Sequence, residues 1–190
     1  HEREGGGGSE RLPRATRFEV LVPKGTKALD GEPLAEDFRF GFETERPRVV
    51  STSPYQGSKG LEPGARFQLY TSAPVSDAEL LRSVKLSASG APQSFVVTRP
   101  DPTDAKRALL VPDKPLPLDA AIRLEVSEDL RTTEGPLPAG KPASYDFRTY
   151  GPLRVVGLSC DRHTPNKQCS AADAVQIELS NPVKVGALKR

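Results

Sequence analysis

Methionine and tryptophan are absent from the 190 residues, and cysteine and histidine occur only twice each. Each scarcity excludes something. Without tryptophan, and with only four tyrosines and seven phenylalanines, no platform for stacking nucleobases is visible. The two histidines, His1 and His163, lie in a glycine-rich start and in a polar loop, so a nucleophile–base–orienter set has little to build on. No serine sits in a nucleophile elbow. The net charge is +2, with bases and acids interleaved, which is a solvated surface and not a nucleic-acid footprint. No apolar run reaches 18 residues, so no helix is expected to enter a membrane. Gly5–Gly8 neither follows a strand nor leads into a helix with Lys-Ser/Thr, so it is no phosphate cradle. The missing methionine fits a piece of a longer chain, in which no leader would be expected.

Glycine and proline are abundant, at 16 and 19 residues. That punctuation suits many short strands joined by turns. Strict alternation predicts a half-buried strand at Phe38–Thr44, with Phe38, Phe40 and Phe42 on one face. Further strands are expected at Arg17–Val22, Pro47–Pro54, Arg66–Thr71, Ser83–Ser87, Ser94–Thr98, Ala108–Val111, Ala121–Val126, Tyr145–Thr149, Leu153–Leu158 and Ala174–Leu179. Ser76–Leu81 reads as a short helix capped by Ser76 or Asp77. The alternate prolines of 112–117 mark a loop.

The chain also repeats itself. Phe42-Glu43-Thr44 returns as Phe147-Arg148-Thr149, Arg48-Val49-Val50 as Arg154-Val155-Val156, Ala73-Pro74-Val75 as Asn181-Pro182-Val183, and Asp30-Gly31 as Glu134-Gly135. The offsets are 105, 106, 108 and 104, in the same order along the chain. A period of about 100 residues is that of an immunoglobulin-type sandwich. The expected architecture is all-β: tandem immunoglobulin-like β-sandwich modules, one complete and two partial. Residues 1–14 read as a flexible start, 15–45 as the closing strands of a preceding module, 46–150 as a whole module and 151–190 as the opening strands of a following one. The short junctions carry Pro47 and Pro152, so neighbouring modules should hold a restricted angle.

Chemistry-bearing residues are few. Cys160 and Cys169 close a nine-residue loop if oxidised, adding about 2–3 kcal/mol and implying an oxidising compartment. A metal site of Cys160, His163 and Cys169, or two free thiols, are the alternatives; the former has three soft ligands and no recognised spacing. Asp101, Asp104 and Asp113 invite a calcium reading, but their spacing matches no EF-hand loop. Carboxylate pairs such as Glu128-Asp129 and Glu36-Asp37 sit in connecting segments, where solvated charge is the plainer account. No catalytic, cofactor-binding or metal-ligating residue is assigned, and no cofactor is expected.

The segment Phe18–Thr44, FEVLVPKGTKALDGEPLAEDFRFGFET, resembles the closing half of bacterial Ig-like domains. PRVVSTSP and RFQLYTSAPV look like the opening strands of the next, an opening that recurs in RVVGLS and VQIELSNPV. Similar openings occur in the N-terminal modules of large bacterial α2-macroglobulin-like proteins. That resemblance implies a periplasmic or cell-surface protease trap in which these modules are scaffold. Their partners would be other domains of the same polypeptide and, through the whole protein, target proteases. Neither Cys160-Asp161-Arg162-His163 nor Cys169-Ser170-Ala171-Ala172 fits the family's Cys-x-Glu-Gln thioester motif, so no functional residue carries over. The same patterns occur in stalks of adhesins and surface-layer proteins. An accessory module of a glycoside hydrolase would need exposed aromatics, for which only Tyr55, Tyr70, Tyr145 and Tyr150 are available.

Overall fold

The computed structural model describes residues 11–160, 169 and 174–183. The described residues form twelve strands and one short helix, in order β1 (Arg17–Val22), β2 (Phe38–Glu43), β3 (Val49–Ser53), β4 (Phe67–Thr71), α1 (Asp77–Ser83), β5 (Val84–Ala88), β6 (Ala91–Gln93), β7 (Phe95–Thr98), β8 (Arg107–Pro112), β9 (Ala121–Val126), β10 (Ala143–Arg148), β11 (Val155–Cys160) and β12 (Val175–Leu179). The fold is all-β. No described helix is long and apolar enough to cross a membrane.

Strands β3 to β10 make two four-stranded antiparallel sheets, ordered β3-β4-β8-β7 and β10-β9-β5-β6. Alternation explains why they stack. Every second residue of β9 is buried, namely Ile122, Leu124 and Val126, while Ala121, Arg123 and Glu125 face water. Phe67 and Leu69 of β4, Leu110 of β8 and Leu86 of β5 complete the dry layer. Phe67 and Phe147 meet across the two sheets with ring centroids 5.1 Å apart and planes tilted by 50°, within the separation at which aromatic pairs attract. Aligned packing of two such faces is the sandwich solution for strands with one apolar side.

Helix α1 forms where expected. The Ser76 hydroxyl accepts the Glu79 N–H at 3.2 Å, and Asp77 and Glu79 sit in the first turn with Arg82 in the last, which complements the helix dipole. The three-residue β6 carries no sequence alternation that would have announced it.

Two hairpins flank the sandwich, β1-β2 and β11-β12, each a separate two-stranded sheet. The phenylalanine strand forms as expected, but its apolar side is not half-buried. Phe38 and Phe40 are 58% and 53% exposed, because among the described residues no second sheet lies against them. Phe42 stacks on Phe18 at 5.3 Å and on Phe40 at 5.9 Å, so the hairpin gathers its own aromatics into a row.

Candidate functional site: the module junctions

The repeat seen in the sequence is a repeat of hydrogen bonds. At the closing end of the sandwich, Thr149 and Ala120 exchange backbone bonds and side-chain bonds. Thr149 N–H donates to Ala120 O at 3.1 Å, Ala120 N–H donates to the Thr149 hydroxyl at 2.8 Å, and that hydroxyl donates to Pro117 O at 2.7 Å. The flanking hairpin reproduces this set one period earlier. Thr44 N–H donates to Thr16 O at 2.9 Å, Thr16 N–H to the Thr44 hydroxyl at 3.0 Å, and the hydroxyl to Pro13 O at 2.7 Å. Even the strained residue recurs: Ala15 has φ 50° and Asp119 φ 53°, a left-handed conformation uncommon outside glycine. Their N–H groups donate to Glu45 O at 3.0 Å and Tyr150 O at 2.9 Å.

The opening end repeats too. Arg48 N–H donates to the Ser72 hydroxyl at 3.1 Å and Ser72 N–H to Arg48 O at 2.9 Å. In the last hairpin Arg154 N–H donates to the Ser180 hydroxyl at 2.8 Å and Ser180 N–H to Arg154 O at 2.9 Å. Both pairings carry a register shift at the same place, between Val49 and Ser51 and between Val155 and Gly157. A bulge fixes strand register, so its recurrence marks β11-β12 as the counterpart of β3-β4.

The first hairpin is fastened to the sandwich. Ala15 is fully buried, and its carbonyl accepts the Leu137 N–H at 2.8 Å. Arg14 donates to Ser72 O and lies beside Glu134, which Arg11 also reaches at 3.4 Å. A side chain has no room at Gly135: a Cβ there would overlap Arg14 O and Thr16 Oγ1 and would stand 2.7 Å from Ala15 O. Arg46 bridges the two bodies, donating to Glu43 Oε2 at 2.9 Å and to Pro138 O at 3.2 Å. Pro47 beside it is almost wholly buried, so the junction is a packed contact and not a free tether.

The receiving loop is braced from behind. Arg131 N–H donates to Glu79 Oε1 at 2.7 Å, Thr132 Oγ1 to Pro74 O at 2.7 Å, and the Arg131 guanidinium to Pro136 O at 2.9 Å. Partial burial opposes charge on Glu79, but bonds from Arg82, the Arg131 N–H and Ser83 outweigh it and hold the carboxyl below its ordinary range.

Residues 43–149, more than half of the chain, match the family described as bacterial Ig-like domain. The chain belongs to that family. The sandwich of β3 to β10 is thus its Ig-like module. No curated protein sequence matches. Among solved structures, CopC from Methylosinus trichosporium OB3b aligns at 13% identity over 56% of this chain and 96% of that one, with a TM-score of 0.41. Domains 1–6 of the surface layer protein SbsC align at 13% identity over 62% of this chain and 15% of that one, with a TM-score of 0.41. An L,D-transpeptidase from Mycobacterium tuberculosis H37Rv aligns at 17% identity over 70% of this chain and 48% of that one, with a TM-score of 0.36. The aligned part therefore spans less than two thirds of the SbsC and transpeptidase chains.

The cysteines read from the sequence lie at the end of the last hairpin. Cys160 closes β11, and its Cα stands 5.7 Å from that of Cys169, inside the range a disulfide spans. His163, the third member of the alternative metal set, falls outside the described residues. Asp101 and Asp104 are turn residues: Asp101 accepts Thr103 N–H at 2.8 Å and Asp104 accepts Lys106 N–H at 3.0 Å. Among the described residues no three His, Cys, Asp or Glu side chains gather as a metal site would need. A surface groove of about 570 Å³ beside Arg82, Lys85, Glu125 and Asp129 carries charges of both signs, with Arg82 already bound to Glu79.

Sequence reasoning missed Arg14, Ala15 and Leu137 as junction residues. Gly135 was visible only as a turn marker. What it does there depends on a contact more than 100 residues away, which no local pattern encodes.

Proposed function

We propose that the chain is a non-catalytic structural segment of a larger secreted bacterial protein, in which tandem Ig-like modules hold distant functional parts at fixed separations. The observation that carries this reading is the duplicated end-chemistry. Closing bonds recur at Thr44 and Thr149, and opening bonds at Arg48 and Arg154. A chain that repeats its ends is built to continue in the same manner on both sides. The cysteine pair fits an oxidising site of action, the periplasm or the cell surface.

The finer reading is scaffold within an α2-macroglobulin-like protease trap, supported by the resemblance of RVVSTSP and RVVGLS to the openings of such modules. The partners are then other domains of the polypeptide and, through them, target proteases. The repeated ends equally suit a stalk of an adhesin or surface-layer protein. Two experiments test this, the first the module reading that both share and the second the choice between them. Residues 46–150 expressed alone should fold cooperatively; a molten or insoluble product would end the module reading. The intact parent protein, itself cleaved by the protease, should then hold that protease in a covalent complex, the acyl group of a thioester passing to a protease lysine as an amide and leaving a free cysteine thiol. Prior treatment with methylamine, which opens the thioester, should prevent the complex. A parent that captures no protease, and instead carries many further copies of this module before an anchor, would establish the stalk.

A further inference from the structure

We propose that the Glu134–Leu137 loop is a keyed socket, which accepts the Arg14–Thr16 turn of the preceding module and rejects the closing turn of its own. This rests on the tandem-module reading above and adds to it that module order is encoded at the junction. Three features of the contact make it selective. Gly135 leaves no space beneath Arg14 O and Ala15 O, so the incoming backbone must approach to the surface of the loop. Ala15 is fully buried there, which admits a methyl group and nothing larger or charged. Glu134 faces Arg14 and Arg11, which selects a basic turn.

The module's own closing turn, Leu118-Asp119-Ala120, has the same backbone and the opposite credentials. Asp119 stands where Ala15 stands, with the same left-handed φ, and Leu118 replaces Arg14. Asp119 is exposed and paired to Arg148, its Oδ1 accepting at 2.8 Å and its carbonyl at 3.3 Å from the same guanidinium. In the first junction that carbonyl position instead receives the Leu137 N–H. An aspartate brought into the Glu134–Leu137 socket would be buried beside a like charge, without the arginine that answers Glu134. The two turns are therefore not interchangeable, although the sheets they close are equivalent.

The test is amide hydrogen exchange at Leu137 in the 190-residue chain, with the β9 amide of Leu124 as internal reference. Gly135 has no left-handed φ, so Gly135→Ala adds a methyl group without backbone penalty. Gly135→Ala and Ala15→Asp should each speed Leu137 exchange about tenfold or more relative to Leu124. Arg14→Leu should give a smaller acceleration that added salt does not increase further. If either of the first two substitutions unfolds the chain, Arg14→Leu, which leaves Ala15 and Gly135 untouched, reads the contact alone. Unchanged Leu137 exchange in the variants that fold overturns the socket while leaving the module reading intact. Failure of 46–150 to fold would instead sink the module reading.

Discussion

The hairpins β9-β10 and β1-β2 are the same structure with and without a cover. Their registers superimpose, Ala121↔Arg148 to Val126↔Ala143 in one and Arg17↔Glu43 to Val22↔Phe38 in the other. Their ends are tied by the same threonine chemistry. Yet Phe147 is 4% exposed in the first, whereas its counterpart Phe42 is only partly buried, and Phe40 is open. The opening strands tell the same story: Phe67 and Leu69 of β4 are fully buried, and their counterparts Val175 and Ile177 are 55% and 53% exposed. Strand pairing and register thus follow from local hydrogen bonds and turn chemistry. Burial is supplied by the opposing sheet, and among the described residues only the central module has one.

The sharpest way to break this comparison is to truncate the same phenylalanine in both hairpins. Phe147→Ala removes a ring packed on Phe67 and should cost about 3–5 kcal/mol, seen as a large drop in the urea midpoint of the central module. Phe42→Ala removes a ring stacked only on its hairpin neighbours and should cost about 1 kcal/mol or less. Equal losses would mean that the β1-β2 face is covered in solution, and the contrast drawn from exposure would fail.

A smaller effect separates the two threonines. Thr149 is buried, and its hydroxyl is the acceptor for the Ala120 N–H. Thr149→Val should therefore cost about 1–3 kcal/mol, because it strands that donor away from water. Thr44→Val breaks the matching bond at a half-buried position, where water can replace the hydroxyl, and should cost under about 1 kcal/mol. Parallel denaturation curves of the two variants measure the difference, and a reversal of their order would show that burial does not set it.

Much of this was legible in the sequence. Alternation at Phe38–Phe42 placed that strand, and the recurrence of Phe-x-Thr and Arg-Val-Val placed the repeats, because period and turn residues are local properties. Exposure of the phenylalanine strand was not legible. An alternating strand looks alike whether or not a sheet lies against it. Nor was the junction, since Gly135 and Ala15 acquire their roles from each other across the fold. The left-handed turn at Asp119 was hidden for a related reason: its backbone is imposed by the Tyr150 carbonyl and not by a glycine.

Acid should distinguish the central module from the hairpin before it. Glu79 ties α1 to the loop after β9, with bonds from Arg82, Ser83 and the Arg131 N–H, and nothing in the β1-β2 hairpin corresponds to α1. Because the folded carboxyl lies below its ordinary value near 4.5, folding binds fewer protons there than unfolding does. The stabilisation is complete above that value and is lost as pH falls through the lower, folded-state value. Glu79→Gln should remove this part of the acid sensitivity and lower stability at neutral pH by about 1–2 kcal/mol, while the exchange of β1-β2 amides stays as it was. The exposed Arg39–Glu19 pair of the hairpin makes the complementary point: Glu19→Gln should change stability by no more than about 0.5 kcal/mol. A Glu79→Gln chain that keeps the full acid response of the parent would place the responsible carboxylate elsewhere, and the brace behind the junction loop would then be neutral in its energetics despite its short bonds.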